Sequence, residues 1–342
     1  MARPTIADLA KAAGVGLSTV DRVINGRALV RPATAERVLK AAEEIGFYAS
    51  GVIRQRLRVD QPERTLGFLL LQENRPLYQA LAQALTTATE SSPLIRGRAR
   101  VEFFDDLSPD SVAQRIVRLA RLVDAIGVVA ADHPHVAEAI DQAHERGVPV
   151  IGLISELTAQ SRVGYVGLDN WKVGRTAAWT IANICKAPGK VGIIVGSHRY
   201  RCQDQNEMGF RSFFREHAPE FQLLEPLTSL EEARYAAEIT RELIRRNPDL
   251  AGLFVAGGGV RGVMEALREN EVFKQVVTVA LDLIRETRMG LIDGVLKLVI
   301  AHPLERFAET TVRVMADATD RDRAEGAAAH VLPFDIYTAE NV

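Results

Sequence analysis

Only two cysteines occur in 342 residues, Cys185 and Cys202, too few and too isolated for a disulfide framework or a metal cluster. Reduced thiols, no metal and no cofactor are the expectation. No run of 18 apolar residues is present, which excludes a membrane-spanning helix. The opening Met1-Ala2-Arg3-Pro4 leads into no apolar stretch of signal-peptide length, so a cytoplasmic location is expected. Net charge is scarce too, at -2, but unevenly placed. Through Asp60 there are 10 Lys and Arg against 6 Asp and Glu, a balance of +4; the rest holds 32 against 38, a balance of -6. A basic start on an acidic body confines nucleic-acid contact to one end.

The basic start has helical periodicity. Thr5 can cap a helix in which Ile6, Leu9, Ala10 and Ala13 fall on one apolar stripe. Gly14-Val15-Gly16 breaks it, and a second helix over 17–25 buries Val20, Val23 and Ile24. That leaves Leu17, Ser18, Asp21, Arg22 and Asn25 facing outward. Two short helices around a three-residue turn form a helix-turn-helix, whose second helix lies in the major groove. Arg22 suits guanine, Asn25 suits adenine edges or a phosphate, and Ser18 suits either. Asp21 would repel phosphate, so it either accepts from a cytosine amine or braces Arg22.

Thr5 through Val15, Ser18-Thr19-Val20, Arg22-Val23-Ile24-Asn25, and then Val30, Thr34, Val38, Ala41, Ala42, Glu44, Ile45, Gly46 and Phe47 form one long pattern. It resembles the DNA-binding head of the lactose repressor (LacI/GalR) family. The resemblance implies that Leu17, Ser18, Asp21, Arg22 and Asn25 read the operator, with Thr5, Thr19, Arg27 and Arg31 as phosphate or flanking contacts. It also implies a hinge helix that enters the minor groove. There the sequence departs from its relatives, running Ala49-Ser50-Gly51-Val52-Ile53-Arg54-Gln55-Arg56-Leu57. Arg54 matches, but Arg56 stands where a leucine wedge is usual and Leu57 follows one residue later. Either Leu57 wedges between base steps or Arg56 enters a narrow A·T-rich groove.

Beyond a linker at Asp60-Gln61-Pro62-Glu63-Arg64 the periodicity changes. Apolar runs at 66–71, 101–104, 126–130, 148–154, 163–168, 191–195, 253–256, 276–281 and 296–301 alternate with amphipathic stretches such as 77–90, 109–123, 173–184 and 231–246. This alternation predicts buried parallel strands in right-handed crossovers, too many for one sheet and natural for two lobes. Asp124-Ala125-Ile126-Gly127-Val128-Val129, Gly147-Val148-Pro149-Val150-Ile151, Tyr165 through Asn170 with Gly174-Arg175, and Gly209-Phe210 resemble the periplasmic sugar-binding-protein type I core of the same repressor family. The expected architecture is an α/β two-lobed periplasmic-binding-protein-like core of parallel sheets behind an all-α headpiece. Its divisions are a headpiece at 1–48, a hinge and linker at 49–62, and an effector-binding and dimerisation core at 63–342.

The resemblance implies an effector held between the lobes at the carboxyl ends of the strands. Candidate contacts are Asn74, Arg75 and Tyr78 after the first strand, Asp132 and His133 after the third, and Ser155 and Glu156 after the fourth. Asp169 matches a family Asp-Asn element, Asp282 an acid that accepts ligand hydroxyls, and His302 a place where Gln is frequent. Asn206 replaces an arginine common in sugar-responsive relatives, while Arg199, Arg201 and Gln203 sit in the nearby loop 198–203. Two arginines there lean toward an anionic group, leaving a sugar, polyol, sugar acid or sugar phosphate as effector classes. Gly257-Gly258-Gly259 would let a ligand approach backbone.

Other classes fit less well. Three adjacent glycines do not make the dinucleotide fingerprint, and no acid follows at the required distance. No Ser-His-Asp, metal or phosphate-loop arrangement supports an enzyme. A non-transcriptional sugar-binding protein would share the core but not the head. The expected function is an effector-controlled DNA-binding transcriptional regulator, a repressor acting as a homodimer on a near-palindromic operator.

Overall fold

The structure, a computed structural model, describes residues 3–25, 30–53, 61–320 and 328–342. Two units divide these residues. One holds those up to Arg64 with Thr89–Arg98; the other holds Thr65–Ala88 and everything described from Ala99 on.

The first unit contains helices Ile6–Ala13, Leu17–Asn25 and Pro32–Glu44. Thr5 and Asp8 start the first: the Asp8 N–H donates to Thr5 Oγ1 at 3.3 Å, and the Thr5 N–H donates to Asp8 Oδ2 at 2.8 Å. Gly14 stops it with a φ of +62°, a left-handed conformation in which glycine carries no Cβ penalty. The three helices bury Leu9, Val20, Val38, Phe47 and Ile53 together. Each such side chain contributes about 1.5–3 kcal/mol relative to exposure. Ser50 to Ile53 turn helical again. The hinge readings at Arg54, Arg56 and Leu57, and the flanking contact at Arg27, lie outside the described residues.

The second unit carries two sheets. In chain order the strands are β1 Glu63–Leu71, β2 Arg96–Phe104, β3 Ala125–Val128, β4 Val150–Leu153, β5 Gly164–Leu168, β6 Lys190–Val195, β7 Gln222–Leu223, β8 Leu227–Thr228, β9 Leu250–Val255, β10 Val277–Leu281, β11 Leu298–Ala301, β12 Ala328–Leu332 and β13 Asp335–Tyr337. The first sheet runs β12-β5-β4-β3-β1-β2, and the second β13-β11-β10-β9-β6-β7, with β8 also on β6. The core pairings β1–β3, β3–β4, β4–β5, β6–β9, β9–β10 and β10–β11 are parallel, and β13 joins antiparallel to β11. β3, β4, β5 and β11 are buried at every residue, as strands covered on both faces must be.

The chain leaves the first sheet through helix Asn170–Ile184, which packs on β9, β10 and β11. It returns through helix Leu304–Ala318, which packs on β3 and β5, and crosses again from β12 to β13. Both sheets change winding direction, at β1 beside β3 and at β6 beside β9. Loops diverge at such points, opening a crevice beyond the strands' carboxyl ends. β7, β8, β12 and β13 are absent from the sequence reading because they are edge strands of two to five residues without a continuous apolar run. The helix expected over 231–246 begins at Ala233, since Leu230 and Glu231 take left-handed backbone at φ +52° and +64°.

Candidate effector cavity and DNA-reading helix

A cavity of about 520 Å³ lies beyond the carboxyl ends of β1, β3 and β4 in one sheet and β6, β9, β10 and β11 in the other. Of the expected contacts, Asn74, Arg75, Tyr78, Gln203, Asn206, Asp282 and His302 line it. Strain is concentrated there. Five non-glycine residues have positive φ among those described, and three of them, Ile154, Glu231 and Asp282, line the cavity. Such conformations cost about 1–3 kcal/mol each and persist where the surroundings dictate them, commonly at binding sites.

Its charged centre is an ion pair that the sequence did not disclose. Arg75, after β1, places Nη1 2.7 Å from Glu231 Oε2, after β8, and its other terminal nitrogen donates to the Glu231 carbonyl. Gln203 Nε2 donates to Glu231 Oε1 at 2.6 Å, while Gln203 Oε1 accepts from the Ser197 N–H at 3.1 Å. Burial disfavours charge on the Arg75 guanidinium, but the Glu231 field and hydrogen bond outweigh it and hold Arg75 above the ordinary arginine range. Burial and then the Glu231 carboxylate push the Tyr78 hydroxyl well above its usual value. Burial does the same to Tyr200, a second aromatic in the wall.

Opposite stands a second couple. His302 Nδ1 is 2.7 Å from Asp282 Oδ1, which also accepts the His302 backbone N–H at 3.2 Å. A carboxylate can only accept, so Nδ1 carries the proton, and in the neutral tautomer that matches this bond Nε2 is an acceptor. That Nε2 is buried without a partner, as are Asn206 Oδ1 and Glu286 Oε2, and all three residues line the cavity. Buried polar atoms without partners are rare, and water or a ligand can complete their bonding.

Asp132, His133, Ser155, Asp169, Arg199 and Arg201, also expected as effector contacts, are not among the residues that line this cavity. Each has another occupation. Asp132 accepts from Thr158 Oγ1 at 2.9 Å, its N–H donates to the Arg199 carbonyl at 2.9 Å, and Arg201 lies 3.9 Å from its carboxylate. His133 caps helix Pro134–Glu145, and Asp169 caps helix Asn170–Ile184. Ser155 Oγ accepts the Cys202 N–H at 3.5 Å, and the Arg199 side chain is exposed. Glu156 pairs with Arg162 at 3.4 Å.

Sequence reasoning missed Glu231, Glu286, Tyr200 and Cys202. Tyr200 and Cys202 belong to the loop already singled out, and their cavity position could have been found there. Glu231 stood inside an apparent helix. The three glycines admit side chains of the chain itself. A Cβ on Gly258 would lie 2.0 Å from Glu231 Oε2 and 2.6 Å from Arg75 Nη2, and one on Gly257 would lie 2.6 Å from Gln203 Oε1.

In the first unit, Leu17 is 57 % exposed at the start of helix Leu17–Asn25, whose buried residues are Val20 and Val23. Ser18 and Arg22 lie on the same helix. Asn25 Nδ2 donates to Asp21 Oδ1 at 2.6 Å, so Asp21 braces Asn25 rather than Arg22. Thr5 Oγ1 donates to Asp8 Oδ2 at 2.7 Å within the cap of the first helix.

A helix-turn-helix head and a two-lobed α/β core with a ligand-sized cavity define the class of effector-controlled transcription factors. The chain belongs to the periplasmic binding protein domain family, whose match spans residues 108–322, and residues 5–50 match the lacI family of bacterial regulatory proteins. It is similar to the maltose regulon regulatory protein MalI of Escherichia coli (strain K12), 26 % identical over 292 residues and 81 % of each chain. It is also similar to the HTH-type transcriptional regulator CelR of Thermobifida fusca, 28 % identical over 268 residues and 74 % of each chain. In fold, the solute-binding protein of Actinobacillus succinogenes 130z with bound D-allose superposes with a TM-score of 0.73 at 18 % identity, covering 82 % of this chain and 99 % of that one. A solute-binding protein of Agrobacterium vitis bound with alpha-D-tagatopyranose gives 0.74 at 20 % identity, with 81 % and 95 % covered. The chain is a DNA-binding transcriptional regulator. No described helix is long and apolar enough to cross a membrane, and no group of His, Cys, Asp or Glu among the described residues could hold a metal ion.

Proposed function

We propose that this regulator is a repressor that binds a near-palindromic operator as a homodimer and that a sugar-like effector in the interlobe cavity sets its operator affinity. The observation that carries the effector reading is the set of three partnerless buried acceptors beside two aromatic side chains, Tyr78 and Tyr200. Hydroxyls satisfy the acceptors, and an aromatic face covers sugar C–H groups. Sugars are also the ligands named for the solved structures of like fold. The chain is read as non-catalytic and cytoplasmic, with a headpiece at 1–48, a hinge at 49–62 and a core at 63–342.

Leu17, Ser18, Asp21, Arg22 and Asn25 are the proposed base readers, with Thr19, Arg31 and Thr5 toward the flanks. Arg75, Tyr78, Gln203, Asn206, Asp282 and His302 are the proposed effector contacts. Ligand control requires that the effector bind the two arrangements of the lobes unequally, and the coupling equals that difference in affinity. Thermal-shift screening of the full chain against sugars, polyols, sugar acids and sugar phosphates tests the reading. A binder at 100 times its Kd stabilises the protein by about 2.7 kcal/mol, and no shift across all four classes would contradict a sugar-like effector.

A further inference from the structure

Arginine in a binding cleft ordinarily serves anions, because its fork matches a carboxylate or phosphate with two parallel bonds. In this cavity the fork is already taken. Arg75 gives Nη1 to the Glu231 carboxylate at 2.7 Å and its other terminal nitrogen to the Glu231 carbonyl. The Glu231 side chain is 6 % exposed and accepts from Gln203 Nε2 at 2.6 Å. The arrangement is built in by backbone. Glu231 sits at φ +64°, and Cβ atoms on Gly196 and Gly258 would lie 1.7 Å and 2.0 Å from its carboxylate oxygens. A freely rotating surface glutamate would have none of these supports.

The unclaimed capacity of the cavity has the opposite sense. Asn206, 1 % exposed, and His302, whose side chain is 7 % exposed, each present a buried acceptor with no partner, and Glu286 adds a carboxylate oxygen in the same condition. Glu232, Arg234 and Arg261 also line the cavity but are exposed; among the less exposed charges, with Arg75 and Glu231 cancelling, Asp282 and Glu286 leave a negative balance. Away from those two exposed arginines, a ligand carboxylate or phosphate in the buried part meets only Arg75, already paired, and faces two carboxylates, whereas hydroxyl donors meet three waiting acceptors.

We propose that Glu231 selects effector charge: by capping Arg75 it bars carboxylate- and phosphate-bearing molecules and reserves the cavity for a neutral polyhydroxylated compound that donates to Asn206, His302 and Glu286. This rests on the sugar-like effector reading and narrows it. The anionic lean drawn from Arg199 and Arg201 falls away, since neither lines the cavity.

The test uses matched neutral and anionic forms of one carbon skeleton, ribitol with ribonate, glucose with gluconate, and glucose with glucose 6-phosphate, titrated calorimetrically into the full chain. The parent should bind a neutral member at least 100-fold more tightly than its anionic counterpart. Glu231→Gln keeps an oxygen for Gln203 and frees Arg75, so it should narrow that ratio at least tenfold, and adding Arg75→Gln should restore the exclusion. A parent that prefers an anion overturns the proposal. So does an unchanged ratio in a Glu231→Gln protein of parental melting temperature, or anion binding that survives in the double variant. If no pair binds the parent, the sugar-like reading fails by itself, and charge selection is read from phenylglyoxal labelling of Arg75 with inorganic phosphate. Phosphate protection confined to Glu231→Gln then supports the cap, and equal protection in both proteins overturns it.

Discussion

The backbone carbonyl of Asn206 lies so close to Gly174 that a Cβ there would fall 2.0 Å from the oxygen, and Gly209 answers with 2.2 Å to the Trp171 carbonyl. Helices Asn170–Ile184 and Arg201–His217 therefore meet backbone to backbone. This contact fixes how deep Asn206 stands in the cavity. Gly174→Ala should cost about 1–3 kcal/mol of stability, the usual cost of overpacking, and weaken effector binding with it. Denaturant unfolding with parallel calorimetry checks both, and a variant indistinguishable from the parent would show that the helices separate freely.

The recognition helix makes a sharper prediction. Arg22→Ala should lose about 1–3 kcal/mol at the cognate site while nonspecific DNA affinity changes little. Gel-shift titration at fixed salt separates the two, and equal losses on cognate and random duplexes would assign Arg22 to phosphate. Asp21→Ala should disturb the positions read by Asn25, because it removes the 2.6 Å bond that orients the amide.

Cys202 lines the cavity, and burial first of all pushes its thiol up to about 12. At pH 8 only about one molecule in 10,000 is then thiolate, so iodoacetamide should modify native protein very slowly and denatured protein readily. Bound effector should slow it further. The raised value also sets a pH trend. The unfolded thiol ionises from about pH 9 while the folded one stays protonated, so the stability contributed by the protonated thiol is complete below pH 9 and is lost as pH rises toward 12. Cys202→Ala should flatten that fall in melting temperature, and an unchanged slope would place its origin elsewhere.

How much of this was legible in the sequence depended on distance along the chain. The head was legible because Thr5, Leu9, Gly14, Val20 and Val23 obey local helix rules, and the two-sheet core because its central strands are continuous apolar runs. Asp282 and His302 could be placed because they directly follow such runs. Glu231 could not. It lies 156 residues from Arg75, and its left-handed backbone sits in a segment whose composition favours helix. Arg199 and Arg201 show a related limit: their chemistry is visible in sequence, but Arg201 opens helix Arg201–His217 and lies 3.9 Å from Asp132, which follows β3, a proximity that no local pattern announces. The same limit applied to Gly257, Gly258 and Gly259, whose missing side chains were evident while the groups filling the space were not.

The central claim, that a ligand in the interlobe cavity controls operator affinity, is tested most directly by fluorescence anisotropy. The full chain would be titrated onto a duplex selected from random DNA, with and without the compound that shifts its melting temperature. The account predicts a change in operator Kd of at least fivefold, the lower end of ordinary allosteric coupling, that disappears in Asp282→Asn together with binding of the compound. An operator Kd that stays the same at saturating compound, on a protein that demonstrably binds it in the cavity, would contradict the account.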